Sequence, residues 1–184
     1  MPSIQPLDPR AADPATAQSL AAVKAKLGMV PNLFATLARA PAALQGYLQF
    51  SGALGAGQLP MRRREAIALA VAEENACGYC LAAHSALGRM AGMGDADLAA
   101  ARAGSGTEPG EAALACLARA IVRSGGRPSR EELAAFRAQG FGDAELLEVI
   151  ANVALNVYTN YVNHIAGTEI DFPKVDAIQE AVAP

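Results

Sequence analysis

No stretch of this 184-residue sequence alternates apolar and polar residues cleanly with the period of two that a half-buried strand needs. That constrains the fold more than any other feature, because it leaves helices to build the core. Apolar residues instead collect in longer segments broken by Gly, Pro and Asn, the last being "GDAELLEVIANVALNVYTNYVNHIAG". Hydrophobic residues make up 52% of the chain but aromatic ones only 5%, and alanine dominates. A chain so poor in aromatic and β-branched residues favours helix over sheet. The expectation is an all-α bundle.

Local signals divide the chain. Residues 1–15 carry four prolines and read as an extended N-terminal arm, with residues 16–184 as a single all-α domain. A helix from Thr16 to Leu27 would end at Gly28, and Pro31 suits a first helical turn. Further helices are expected at about 32–39, 41–55, 60–74 and 77–91. Asp95 is expected to cap the next, and a helix near 110–124 follows the loop "GSGTEPGE". Ser129 and Glu132 stand in capping-box spacing. The tail "TEIDFPKVDAIQEAVAP" begins extended and ends in a short helix.

Several classes of function are excluded. The formal net charge is −3, with no basic tract to meet nucleic acid. No run of about 18 apolar residues suggests a membrane span. The N-terminus has prolines and acids where a signal peptide has a basic and then an apolar stretch, so the chain is expected to be cytoplasmic. Three cysteines do not make a secreted disulfide framework. A close cysteine pair in the cytosol points to catalysis or metal binding.

That pair lies in "ACGYCLAAHS": Cys77, two residues, Cys80, three residues, His84. On a helix the three side chains share a face. The polar break at "EEN" suggests a turn near Glu74–Asn75, joining two antiparallel helices. Its midpoint is equidistant from Glu65 and His84, so the carboxylate would stand abreast of the imidazole. The chemistry suggested is a relay, in which Glu65 orients or deprotonates His84 and His84 takes the proton of Cys80. A thiolate is the nucleophile, and a helix N-terminus and a neighbouring base both favour it. A second thiol three residues away can trap a sulfenic acid as a disulfide. On paper Cys77, Cys80, His84 and Glu65 also make four zinc ligands, although structural zinc sites usually join two separated ligand pairs. Cys116, within "ALACLARA", reads as a small buried hydrophobe.

The full spacing, Glu65, eleven residues, Cys77, two residues, Cys80, three residues, His84, resembles the alkylhydroperoxidase D (AhpD) and carboxymuconolactone decarboxylase superfamily, in its peroxidase-related branch. "GMVPNLFATLARAPAAL" and "NHIAGTEIDFP" are similar to flanking segments of those proteins, so the resemblance spans nearly the whole chain. It implies an AhpD-like multi-helix bundle with a CxxC helix hairpin. It also implies a thiol-dependent hydroperoxide reductase, in which Cys80 attacks peroxide and Cys77 resolves the sulfenic acid. His84 and Glu65 match the proton relay. No bound cofactor or metal is implied. Electrons would come from an external thiol reductant such as a dihydrolipoyl protein, and assembly would be as a homo-oligomer, a trimer or hexamer. Tyr79 departs from the pattern, standing where such hydroperoxidases often have histidine; it is a candidate to contact a peroxide oxygen. The decarboxylase branch does not use a cysteine pair, so "CGYC" argues against that chemistry. The alternative function is a protein disulfide oxidoreductase or redox sensor with little peroxidase activity.

Other residues invite smaller readings. Arg62, Arg63 and Arg64 form a solvated helix end or pair with an acid across a subunit interface. Tyr158, Tyr161 and Phe141 read as core or interface. A shift of eighty positions lays Glu65 on Glu145 and His84 on His164, a faint repeat whose second copy lacks both thiols.

Overall fold

In a computed structural model of the protein, residues 2–175 are described. They form helices and connecting turns, with no strand among the described residues. The first helix, α1 (Pro14–Leu27), starts where Asp13 accepts the backbone N–H groups of Ala15 and Thr16, and stops at Gly28 in the left-handed region (φ 80°). Then come α2 (Asn32–Leu37), α3 (Pro41–Gly55), α4 (Met61–Glu74), α5 (Gly78–Met90), α6 (Asp95–Arg102), α7 (Pro109–Ser124), α8 (Arg130–Ala138) and α9 (Asp143–Ala166). The all-α expectation therefore holds.

The bundle is organised by α4, in which every residue from Glu65 to Ala72 is buried. A helix that is apolar all round must be covered all round. Ala66, Leu69 and Ala72 face one cluster, with Leu20, Leu37, Leu44, Cys77 and Cys80. Ile67, Ala70 and Val71 face a second, with Leu114, Leu117, Phe136 and Val149. So α4 is the shared wall between two cores, in contact with α5, α6, α7 and α9. Ion pairs fix its far end: Glu73 to Arg102 on α6 and Glu74 to Arg119 on α7, each at 2.8 Å.

Several local expectations are corrected. Residues 1–15 are not extended throughout: Pro9–Ala11 form a 3-10 turn capped by Asp8, and α1 already begins at Pro14. The cap of α6 is Gly94, not Asp95; the N–H of Gly94 donates to Asp97 at 2.9 Å, so the carboxylate acts from inside the first turn. Ser129 and Glu132 do form the expected capping box. Cys116 is exposed, because α7 turns Ala115 and Leu117 inward and leaves the residue between them outside. Arg62 pairs with Glu111 and Asp97 of its own chain; Arg63 stacks on Phe141 and Arg64 donates to the Leu54 carbonyl. Phe141 is core, stacked on Phe136, whereas Tyr158 and Tyr161 are exposed. The short helix expected near the C-terminus lies outside the described residues.

Candidate active site

The site is built by the turn between α4 and α5. Asn75 closes α4, and Ala76 takes φ 50°, the one positive value at a non-glycine among the described residues. This left-handed step swings the chain back, and the N–H of Cys77 returns to the Ala72 carbonyl at 2.9 Å. Cys77 then stands as the N-cap of α5, its Sγ accepting the backbone N–H of Cys80 at 3.4 Å. A thiol thus occupies the place usually held by a Ser or Asp oxygen, at the positive end of the helix dipole.

The returning helix brings His84 beside Glu65, with Nδ1 2.8 Å from Oε2. The side chains of both are mostly covered, at 19% and 12% exposed. Cys77 and Cys80 are free thiols, both buried. Cys80 Sγ also accepts a hydrogen bond from Asn163 Nδ2 on α9 at 3.2 Å.

Charge is unevenly distributed over this cluster. The Cys80 thiol, donating to Cys77, holds the Cys77 sulfur down at about 7 despite burial; the Cys80 backbone N–H and the imidazoles of His164 and His84 add to this. The same hydrogen bond, with burial, pushes Cys80 well above the ordinary thiol range. The pair therefore carries its first negative charge on Cys77, at the helix terminus. At His84 burial opposes the charged ring, but the Glu65 carboxylate, the charge of Cys77 and the Asn156 side chain outweigh it, so the pKa is raised. Tyr47 is pushed up to about 12, by burial first and then by the charge of Glu65.

A cavity of about 60 Å³ reaches the cluster, lined by Cys80, His84 and Tyr79 of α5 and by Phe34, Tyr47 and Phe172. It has room for a few waters or the head of a small apolar molecule. Cys80 is in its wall and Cys77 is not. Tyr79 offers its ring to this space, packed edge-on against Phe172, while its hydroxyl is turned away: it accepts the N–H of Leu33 at 3.2 Å and lies beside Asp171. Contact between that hydroxyl and a peroxide oxygen would require these partners to be given up.

The faint repeat does not build a second site. Glu145 and His164 lie on one continuous helix, α9, about 28 Å apart along its axis. Glu145 accepts the N–H of Gly142 at the start of α9, and His164 sits in its last turn. What the sequence reading overlooked is the asparagine row between them. Asn152, Asn156, Asn160 and Asn163 are all buried and recur at helical spacing. Four amides on the inner face of an apolar helix are themselves a signal, since buried amides need partners.

Residues 41–123 match the model of the carboxymuconolactone decarboxylase family. The chain is 34% identical over 93 residues to alkyl hydroperoxide reductase Rv2159c of Mycobacterium tuberculosis; the match covers 50% of this chain and only 27% of that protein's length. Its fold is similar to the crystal structure of an AhpD-core, peroxidase-related protein from Ralstonia eutropha JMP134, with a TM-score of 0.81, 24% identity and 89% of each chain covered. It is also similar to the debrominase Bmp8 in complex with 2,3,4-tribromopyrrole, with a TM-score of 0.80, 19% identity and 92% of this chain and 91% of that one covered. At such identities the two structures establish the shared fold. Among the described residues, no helix is long and apolar enough to cross a membrane.

Proposed function

We propose that the chain, whose residues 41–123 match the carboxymuconolactone decarboxylase family model and whose fold is AhpD-like, is a thiol-dependent hydroperoxide reductase working through Cys80 and Cys77. The observation that carries this reading is the cavity that ends on Cys80 beside a His84–Glu65 pair, with a second thiol directly behind.

The charge distribution revises the relay. The Glu65 carboxylate raises the His84 pKa and so favours the imidazolium, the form that can donate a proton. In the proposed cycle, Cys80 therefore passes its proton to the Cys77 thiolate, its hydrogen-bond partner, not to His84. The Cys80 thiolate attacks the terminal oxygen of the hydroperoxide. The O–O bond breaks, the departing alkoxide takes the proton of the His84 imidazolium, and Cys80 becomes a sulfenic acid. The Cys77 sulfur then attacks Cys80 Sγ. The disulfide forms and the hydroxyl leaves as water with the proton held by Cys77. One hydroperoxide is reduced to alcohol and water, and two thiols are oxidised to one disulfide.

Both sulfurs are buried, so the reductant is expected to be a small or arm-borne dithiol that enters through the cavity; a dihydrolipoyl group has that shape. The same burial disfavours direct exchange with a folded protein partner. The test is consumption of hydrogen peroxide and of an alkyl hydroperoxide with dihydrolipoamide, thioredoxin and glutathione as donors. Catalytic turnover with dihydrolipoamide supports the reading. Rapid disulfide exchange without peroxide turnover would instead favour a redox sensor.

A further inference from the structure

We propose that Asn160 and Asn163 form an amide cradle that carries the Cys80 sulfur as an anion during attack, and that Asn75 is a positioning residue which fixes Asn160. The proposal rests on the reading of Cys80 as the attacking sulfur.

The cradle answers a difficulty in that reading. Resting charge lies on Cys77, and Cys80 is buried with a thiolate alongside it. Moving the charge to Cys80 would place an anion in an apolar wall unless donors await it. Two amides from α9 are suitably placed. Asn163 directs Nδ2 at Cys80 Sγ from 3.2 Å. Asn160 is wholly buried, and its Oδ1 is occupied by Asn75 Nδ2 at 2.8 Å. With its oxygen engaged there, the Nδ2 of Asn160 is a buried donor with no hydrogen-bond partner, and the Asn160 amide favours the charged form of Cys80. Asn75 is the residue that closes α4, so the turn that sets the cysteine pair also sets the amide opposite it.

The arrangement gives the proton shared by the two thiols two resting places. With the charge on Cys77, the backbone N–H of Cys80 and the helix terminus hold it. With the charge on Cys80, the amides of Asn160 and Asn163 hold it. Neither state leaves the anion without donors, and the step between them moves one proton along one S–H···S hydrogen bond. Burial of α9 against α5 makes the donors rigid, so they need not reorganise as charge arrives.

Cys77 at the N-cap of α5, His84 and Tyr79 on α5, Glu65 on α4, Tyr47 on α3, His164 on α9 and Asp171 in the tail are the titratable groups around the sulfurs and their pocket. The test must therefore isolate Cys80. In a Cys77→Ser, Cys116→Ser background Cys80 is the sole cysteine, and its ionisation is read from the pH dependence of alkylation by iodoacetamide. Asn163→Leu and Asn160→Leu should each lower the thiolate fraction below the midpoint by about tenfold, the size of one hydrogen bond to a charged group. Asn75→Ala should give a smaller shift in the same direction, and Asn163→Gln should recover part of the loss. Unchanged midpoints in well-folded leucine variants would overturn the cradle. Should the leucine variants misfold, the side-chain amide resonances of Asn160 and Asn163 are followed in the two-serine background as Cys80 titrates. Movement in step with Cys80 supports the proposal and static resonances overturn it. Alkylation does not depend on peroxide chemistry, so a protein without peroxidase activity that shows these shifts would refute the proposed function and leave the cradle standing.

Discussion

Nδ1 of His84 lies 2.8 Å from Oε2 of Glu65, across the turn that separates α4 from α5. The contact makes the carboxylate the partner of the imidazole and not of either sulfur. Glu65 therefore acts on the chemistry only through the protonation of His84. Replacing it with glutamine keeps the shape and removes the charge that favours the imidazolium. In Glu65→Gln, the alkaline limb of kcat/KM, where His84 loses its proton, should move to lower pH. Near neutral pH the loss should be about 10²-fold, the scale of a positioned acid. A pH–rate profile from 5 to 9 checks this. An unmoved limb would show that another group protonates the leaving oxygen.

The same contact predicts a pH-dependent contribution to stability. A histidine whose folded pKa is raised stabilises the fold fully below its unfolded pKa, about 6.5. That contribution fades as pH rises through the higher folded value. Comparing the native protein with His84→Gln by urea unfolding should thus show a larger difference at pH 5.5 than at pH 9. A difference that grows with pH would mean the ring is stabilised in its neutral form.

The cysteines should separate in single-turnover labelling. In a Cys116→Ser background, which removes the exposed thiol, Cys80→Ser removes the sulfur in the cavity wall, so exposure to peroxide should leave no sulfenic acid for a dimedone-type probe. Cys77→Ser keeps an oxygen at the N-cap and keeps Cys80 in the wall, so one labelled sulfenic acid should form and persist. Its rate should fall below that of the native protein, because a serine hydroxyl does not take the Cys80 proton. Labelling confined to the Cys80→Ser protein would assign the attack to Cys77.

Much of this site is legible in the sequence because it is local. A turn near Glu74–Asn75 fixes which residues face each other across a hairpin, and the pairing of Glu65 with His84 follows by counting. The thiol pair also follows from spacing, since three residues span one helical turn. The direction of the charge does not, because it depends on Cys77 being the cap of α5 and not a residue within it. Nor do Phe34, Tyr47 and Phe172, which reach the cavity from α2, α3 and the tail through tertiary packing alone. The fate of the apparent repeat is instructive. The matching Glu145 and His164 are separated by an unbroken helix where Glu65 and His84 are separated by a turn, so equal spacing gives opposite geometry.

Ala76 offers a test of how the turn is held. Alanine at φ 50° is disfavoured by its Cβ, by roughly 1–2 kcal/mol relative to the right-handed region. Ala76→Gly relieves that strain and gives back part of it through a more flexible unfolded chain, about 0.4–1 kcal/mol. The expected net effect is stabilisation of about 0.5 kcal/mol, with no change in the helices. Chemical denaturation measures it, and a clear destabilisation would mean that the methyl group makes a contact worth more than the strain.

The final prediction concerns assembly. Leu147, Ile150, Tyr158, Tyr161 and Ile165 are 67%, 45%, 38%, 55% and 71% exposed, and they follow one another along a single face of α9 at intervals that fit 3.6 residues per turn. The stripe runs about 27 Å, most of the length of the helix. The opposite face carries the asparagines that meet Cys80 and His84, so α9 lies between the active site and this apolar surface. Apolar patches of that extent usually mark association in soluble proteins. The protein is therefore expected to self-associate through α9 in sedimentation at micromolar concentration. Tyr161→Glu combined with Ile165→Glu should shift it toward monomer, because burying two carboxylates without partners costs several kcal/mol per contact. These side chains point away from the core, so the helical content of the variant should be unchanged. A protein that sediments as a monomer before substitution would leave the stripe without this role, and a variant that stays associated would place the interface on another helix.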